Sequence, residues 1–122
     1  MAGMGGCSLL LTPEVRAWLA ALGDKDFGRV AFYLDLLRQR QGELAPPYTR
    51  CLAGQLYQLE IPGRRRTRRL TWYASGDGTI VVLTVWRRWH GAGHELARAA
   101  AAMGRRDSLA AGRSGRGADE PR

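Results

Sequence analysis

The sequence predicts an α+β domain in which an N-terminal helix hairpin and a C-terminal helix flank a small, twisted, mostly antiparallel sheet of about four strands. Three observations carry that reading. Apolar residues recur at helical spacing from Val15 to Leu37, the period changes to alternation from Leu52 onward, and helical spacing returns after Gly93. At 122 residues and 13.5 kDa the chain is the size of one domain. With 45% hydrophobic and 25% charged residues it has enough apolar material for a core, which excludes a wholly disordered or fibrous chain. Leu9–Leu11 and Ile80–Trp86 are the longest apolar runs and fall far short of a bilayer span, and no basic segment followed by an apolar one opens the chain. No membrane partner is therefore expected, and the expected compartment is the cytoplasm.

Cys7 to Leu11 reads as a short strand. Thr12-Pro13-Glu14 follows with a hydroxyl at an N-cap, proline at the first helical position and a carboxylate at the positive end of the helix dipole. Val15, Trp18, Leu19 and Leu22 then share one stripe, and Gly23 closes the helix. Asp24 can cap the second helix, whose stripe is Phe27, Val30, Ala31, Leu34 and Leu37 and which runs to Gln41-Gly42; the two helices are expected to share one apolar face. Glu43 to Arg50, with Pro46-Pro47, reads as an extended connection. In Leu56–Ile61, Tyr57, Leu59 and Ile61 oppose Leu56, Gln58 and Glu60; in Arg68–Ala74, Leu70, Trp72 and Ala74 oppose Arg69, Thr71 and Tyr73. Pro62-Gly63 and Ser75-Gly76-Asp77-Gly78 are the turns between strands. Thr79–Arg88 is apolar on both faces, as a central strand should be. A Gly91-Ala92-Gly93 hinge leads to a last helix over His94–Met103, with Leu96, Ala99, Ala100 and Met103 as its stripe. Residues 1–6 and 104–122 lack periodicity and read as flexible tails, the second one basic, which leaves 7–103 as the folded domain.

Nineteen Lys plus Arg against eleven Asp plus Glu give a net charge of +8, so a polyanion is the expected partner class. The two cysteines, Cys7 and Cys51, have neither CxxC spacing nor a His/Cys quartet, so they read as reduced thiols and no metal or small-molecule cofactor is expected. Arg64, Arg65, Arg66, Arg68 and Arg69 crowd one hairpin, and Arg87-Arg88 end the central strand. Alternation places Arg69, Thr71 and Tyr73 together, so helices covering one face of the sheet would leave an Arg/Tyr surface on the other. Guanidinium groups grip phosphate bidentately and aromatic rings stack on unpaired bases, a combination that suits single-stranded RNA better than duplex DNA.

Cleaving RNA needs a base for the 2′-hydroxyl, cations for the charge that builds on phosphorus oxygens and an acid for the departing 5′-oxygen. Arg69 and Arg87 are the candidates for stabilising that charge, and one of the two histidines, His90 or His94, for proton transfer. The alternative for these histidines is a helix cap at His94 and a surface loop at His90. Arg65, Arg66, Arg68 and Arg88 are candidate RNA-backbone contacts, with a solvated loop an equal reading for residues 64–66. Tyr73 is a candidate base contact. Trp89 is either core edge or stacking platform, while Tyr57, Trp18, Trp72 and Trp86 read as packing residues.

Four segments, in this order, resemble the RelE/ParE toxin superfamily, most closely its phage-derived HigB-like branch: Leu52-Ala53-Gly54-Gln55-Leu56-Tyr57-Gln58-Leu59-Glu60, Arg69-Leu70-Thr71-Trp72-Tyr73, Ile80 through Arg88, and Glu95-Leu96-Ala97-Arg98-Ala99. The branch pattern is L-x-G-x-L-Y-E-L-R, a strand with R-x-x-Y, a strand ending F-x-K-K, and a helix opening on Glu-Ile/Leu-x-x-Ala. The resemblance implies a RelE-like fold and a cytosolic toxin of a type II toxin–antitoxin pair. Such a toxin is neutralised by a cognate antitoxin, and RelE-like and HigB-like members cleave mRNA on the ribosome. The chain departs from the pattern at Gln58, at Glu60, where arginine is usual, and at Arg87-Arg88, which replace a lysine pair and remove an easily deprotonated amine. Three readings stand: an RNA-cleaving toxin, a ParE-like toxin that inhibits gyrase without catalysis, and a non-toxic basic RNA-binding relative. The arginine hairpin and nearby histidines favour the first; Glu60 and the missing lysines favour the third.

Overall fold

The computed structural model describes residues 8–43 and 48–119, with side chains described as far as 106. Residues 1–7, Pro46-Pro47 and the last residues of the basic tail lie outside the described residues. The element order is β1 (Leu9–Leu11), α1 (Pro13–Ala20), α2 (Asp24–Gln39), β2 (Thr49–Ala53), β3 (Leu56–Ile61), β4 (Arg68–Ala74), β5 (Ile80–Val85) and α3 (Ala92–Asp119). The class is α+β. The strands form one sheet in the order β1-β5-β4-β3-β2, antiparallel throughout except for the parallel β1–β5 pair. Among the described residues no helix is long and apolar enough to cross a membrane.

The sheet has five strands where the sequence predicts about four. The extra one, β2, pairs Thr49 with Leu59 and Cys51 with Tyr57. Its burial is slight, with Thr49 alone buried, so no apolar alternation announced it; backbone pairing to β3 makes it an edge strand. α1 and α2 follow one another through Ala21–Gly23, yet α1 makes more of its contacts with β5 than with α2. The expected helix hairpin is therefore two helices laid separately on one sheet face. Phe27, expected on the buried stripe of α2, is 44% exposed. α3 starts at Ala92 and continues past Met103, where a flexible tail was expected.

Two cores result, one on each face. Val15, Val30, Leu34, Leu37, Leu59 and Leu70 belong to the face under α1 and α2, and Leu37, Leu59 and Leu70 are fully shielded from water. Each such side chain contributes on the order of 1.5–3 kcal/mol. On the other face Leu56, Tyr73, Val81 and Leu83 pack with Ala99 and Ala102 of α3. Of the expected open Arg/Tyr surface only Arg69 stays exposed: Tyr73, packed under α3, is 5% exposed and Thr71 is 0% exposed.

A bulge near the end of β5 decides how the chain leaves the sheet. Thr71 pairs with Thr84 and Trp72 with Val82, which leaves Leu83 as an extra residue. Strict alternation would put Leu83 and Val85 on one face, but Leu83 lies in the α3 core and Val85 in the α1–α2 core. Trp86 consequently falls on the face of Thr71 and donates its indole N–H to the Thr71 Oγ1 at 2.8 Å. On the open side of β5, the Thr12 hydroxyl donates to the Leu83 carbonyl at 2.8 Å, so it does not cap α1. The Glu14 Oε2 accepts from the Val85 N–H at 3.0 Å. Gly23, not Asp24, occupies the N-cap position of α2.

At the far end of α2 the Gly42 N–H donates to the Leu37 carbonyl at 2.9 Å, and Gly42 has φ +87°. A Cβ there would stand 2.9 Å from the Trp72 ring, whereas one at Gly78, with φ +88°, meets nothing within 4 Å. Gly42→Ala is expected to cost roughly 2–4 kcal/mol, backbone strain plus displacement of the indole, against about 1–2 kcal/mol for Gly78→Ala. Urea unfolding of the two variants checks this, and equal losses would show the Trp72 contact to be immaterial.

Candidate functional site

The charged residues gather where strands end, beyond the two apolar faces. The β3–β4 loop carries Arg64, Arg65 and Arg66, and its tightness depends on Gly63, since a Cβ there would run into the Arg66 carbonyl. The segment leaving β5 carries Arg87, Arg88, Trp89 and His90, with the Trp86 N–H still donating to the Arg69 carbonyl at 2.9 Å. The sheet thus holds the two ribbons side by side.

Between them lies a cleft of about 480 Å³ lined by Arg66, Arg68, Arg69, Arg87, Arg88 and His90, with Trp18 of α1 at its wall. Towards the start of α2 it continues into a larger space of about 770 Å³ that adds Arg64 and Arg65, opposite Asp24 and Asp26. Towards α1 a third space of about 560 Å³ brings in Trp89 and Glu14. Arg66 and Arg88 border all three.

The arginines are not equivalent. Arg68 is tied to Asp26 at 3.2 Å. Arg69 faces Glu60 across the β3–β4 pair at 3.8 Å and lies over the Trp86 ring at 5.9 Å, so part of its charge is already answered. Among the described residues Arg64, Arg65, Arg66, Arg87 and Arg88 form no ion pair, and all five are exposed. Guanidinium groups in that state are free to chelate phosphate oxygens.

His90 is held from behind. Its Nδ1 lies 2.7 Å from Oε2 of Glu95, a side chain with no exposure to water, and its ring is 4.0 Å from that of His94, centroid to centroid. The same Glu95 oxygen accepts from the Arg87 backbone N–H at 2.8 Å. The other oxygen accepts from the Arg98 Nε at 3.2 Å and Nη2 at 3.0 Å. Arg98 in turn grips both oxygens of Glu14, at 2.9 and 3.1 Å, and the Val85 carbonyl at 2.7 Å. Burial opposes ionisation of Glu95, but the Arg87 N–H, the His90 ring and Arg98 outweigh it and hold the carboxyl below its ordinary value of 4.5. The Glu14 hydrogen bonds outweigh burial at Arg98 and raise its guanidinium further.

The structure therefore brings Arg66, Arg68, Arg69, Arg87, Arg88 and His90 to one cleft, with Arg65 in the adjoining space. Trp89 is 78% exposed and meets His90 edge-on at 6.5 Å, which places it outside the core. His94 sits exposed in the first turn of α3 beside His90. Tyr73 is removed from the group, because it is buried under α3 and cannot meet a base. Trp18 and Trp86, read from sequence as packing residues, also line the cleft. Glu95 and Arg98 stand in the fourth resembling segment, but the sequence assigned them no role, and their i,i+3 spacing was the available local signal. Their link to Glu14, 84 residues from Arg98, leaves no local trace.

Because the folded Glu95 carboxyl titrates below 4.5, its contribution to stability is complete above about pH 4.5 and is lost as pH falls through the lower folded value. Glu95→Gln is expected to lower stability at neutral pH and to flatten the acid limb of a plot of unfolding free energy against pH below the ordinary carboxylate value of 4.5. A limb of unchanged steepness would remove Glu95 from the acid response.

No protein-family model matches the chain, and no curated protein sequence matches it.

Proposed function

We propose that this protein is an RNA-cleaving toxin of a type II toxin–antitoxin pair, a metal-independent endoribonuclease acting on mRNA, with the ribosome as its site of action. The observation that supports the reading most is the convergence of unpaired arginines from two separate ribbons, Arg66 from one and Arg87 and Arg88 from the other, on a cleft that also holds His90. The resemblance of the four sequence segments to the HigB-like branch of the RelE/ParE superfamily supports it independently, and with it a RelE-like fold.

In this reading the RNA backbone lies along the cleft with its scissile phosphate between Arg69 and Arg87. The 2′-oxygen attacks phosphorus and the bond to the 5′-oxygen breaks, leaving a 2′,3′-cyclic phosphate and a 5′-hydroxyl. His90 handles one of the two protons that move, the one leaving the 2′-hydroxyl or the one arriving at the 5′-oxygen, and solvent water carries the other. Arg69 and Arg87 answer the charge on the non-bridging oxygens, and Arg65, Arg66, Arg68 and Arg88 hold neighbouring phosphates. His94 and the exposed indole of Trp89 flank His90 as further RNA contacts, Trp89 by stacking on a base. A cationic cleft of this kind is silenced by an acidic, helix-forming antitoxin segment laid across it.

Inducing the full chain in a bacterial cytoplasm is expected to arrest growth and shorten translated mRNAs. Arg87→Ala is expected to reduce cleavage roughly 10²–10³-fold and His90→Ala roughly 10²–10⁴-fold, each relieving the arrest without loss of fold. Primer extension on a reporter transcript and thermal unfolding of the purified variants are the measurements. Intact transcripts with trapped gyrase would transfer the protein to the ParE-like reading, and unimpeded growth would leave a non-toxic RNA-binding protein.

A further inference from the structure

A carboxylate removed from water offers acceptor sites for about four hydrogen bonds, and Glu95 has all of them engaged. One oxygen receives both Arg98 contacts. The other receives the two groups that lead into the cleft, the Arg87 backbone N–H and the His90 Nδ1. An ionised carboxylate can only accept, so the nitrogen facing it must donate. The neutral His90 ring is thereby confined to the Nδ1–H form, and Nε2, with its lone pair, is the nitrogen left to serve the cleft that the ring lines.

We propose that Glu95 is a positioning residue: from beneath the cleft floor it fixes the tautomer and orientation of His90 and, through the same oxygen, the placement of Arg87. The proposal deepens the endoribonuclease reading and rests on it for its kinetic consequence, though not for its structural one. Glu95 has no path to the substrate, being fully buried. Its own place is set by Arg98, which the Glu14 carboxylate and the Val85 carbonyl hold from the opposite side. Chemistry at the cleft thus depends on a residue of α3 that touches no ligand. The same logic governs carboxylate-backed histidines in general, where the second partner of the ring sets which nitrogen acts.

The test uses the full chain and a labelled mRNA loaded on bacterial ribosomes. Glu95→Gln is expected to lower kcat roughly 10–100-fold while KM stays within about twofold, since Arg65, Arg66, Arg68 and Arg88, which hold the neighbouring phosphates, do not touch Glu95. In parallel, 15N correlation spectra of the histidine rings are expected to show the neutral His90 ring of the wild-type chain as the Nδ1–H tautomer, and a mixture of tautomers in Glu95→Gln. A neutral wild-type ring protonated at Nε2 alone, or a variant with undiminished kcat, would overturn the proposal. Should Glu95→Gln not fold, the wild-type spectrum decides alone. If the wild-type chain cleaves no RNA, the endoribonuclease reading falls, while the spectra still establish or refute the hold of Glu95 on His90.

Discussion

One buried charge organises this molecule. Taking a carboxylate out of water costs several kcal/mol, a cost that only near-complete hydrogen bonding offsets. Glu95 meets that requirement with donors from the exit of β5, from the ring of His90 and from Arg98 one turn along its own helix. Arg98 extends the arrangement to Glu14 in the first turn of α1. The start of α1, the exit of β5 and α3 are thus locked at one point, the place where β5 leaves the sheet.

That placement explains why the cationic cleft sits at strand ends. Both faces of the sheet are committed to apolar burial, one under α1 and α2 and the other under α3. Charged side chains can gather only where strands stop, at the β3–β4 loop and at the exit from β5. The bulge at Leu83 contributes by shifting the phase of the last residues of β5. It returns Val85 to the α1–α2 core and turns the Trp86 indole toward Thr71, so that Arg69 has an aromatic surface beneath it.

Local pattern was a sound guide wherever local physics decided the outcome. Alternation located β3 and β4 at Leu56–Ile61 and Arg68–Ala74, and the Thr-Pro-Glu signal located the start of α1. It misled where partners distant in sequence took over. Tyr73 alternates with core residues just as a solvent-facing residue would, and only the docking of α3 buries it. Phe27 has helical spacing to the stripe of α2 but lies at its first turn, and it stays largely exposed. β2 carries no apolar alternation because an edge strand needs only ladder hydrogen bonds on one side. The cleft was legible as crowded arginine and two histidines, whereas its support was not, because Glu14 and Arg98 meet only in three dimensions.

The unanswered guanidinium groups of the cleft have an energetic side of their own. Crowding like charges on two exposed ribbons is repulsive, and counter-ions relieve the repulsion by screening it within about a nanometre at ordinary salt. Added salt therefore relaxes the unliganded fold, and in the reading proposed above it would weaken the hold on an RNA backbone. A bound anionic polymer takes over the role of the counter-ions and, by mass action, stabilises the native state that it occupies. Solubility and thermal tolerance in this protein are consequently coupled through one patch of positive charge.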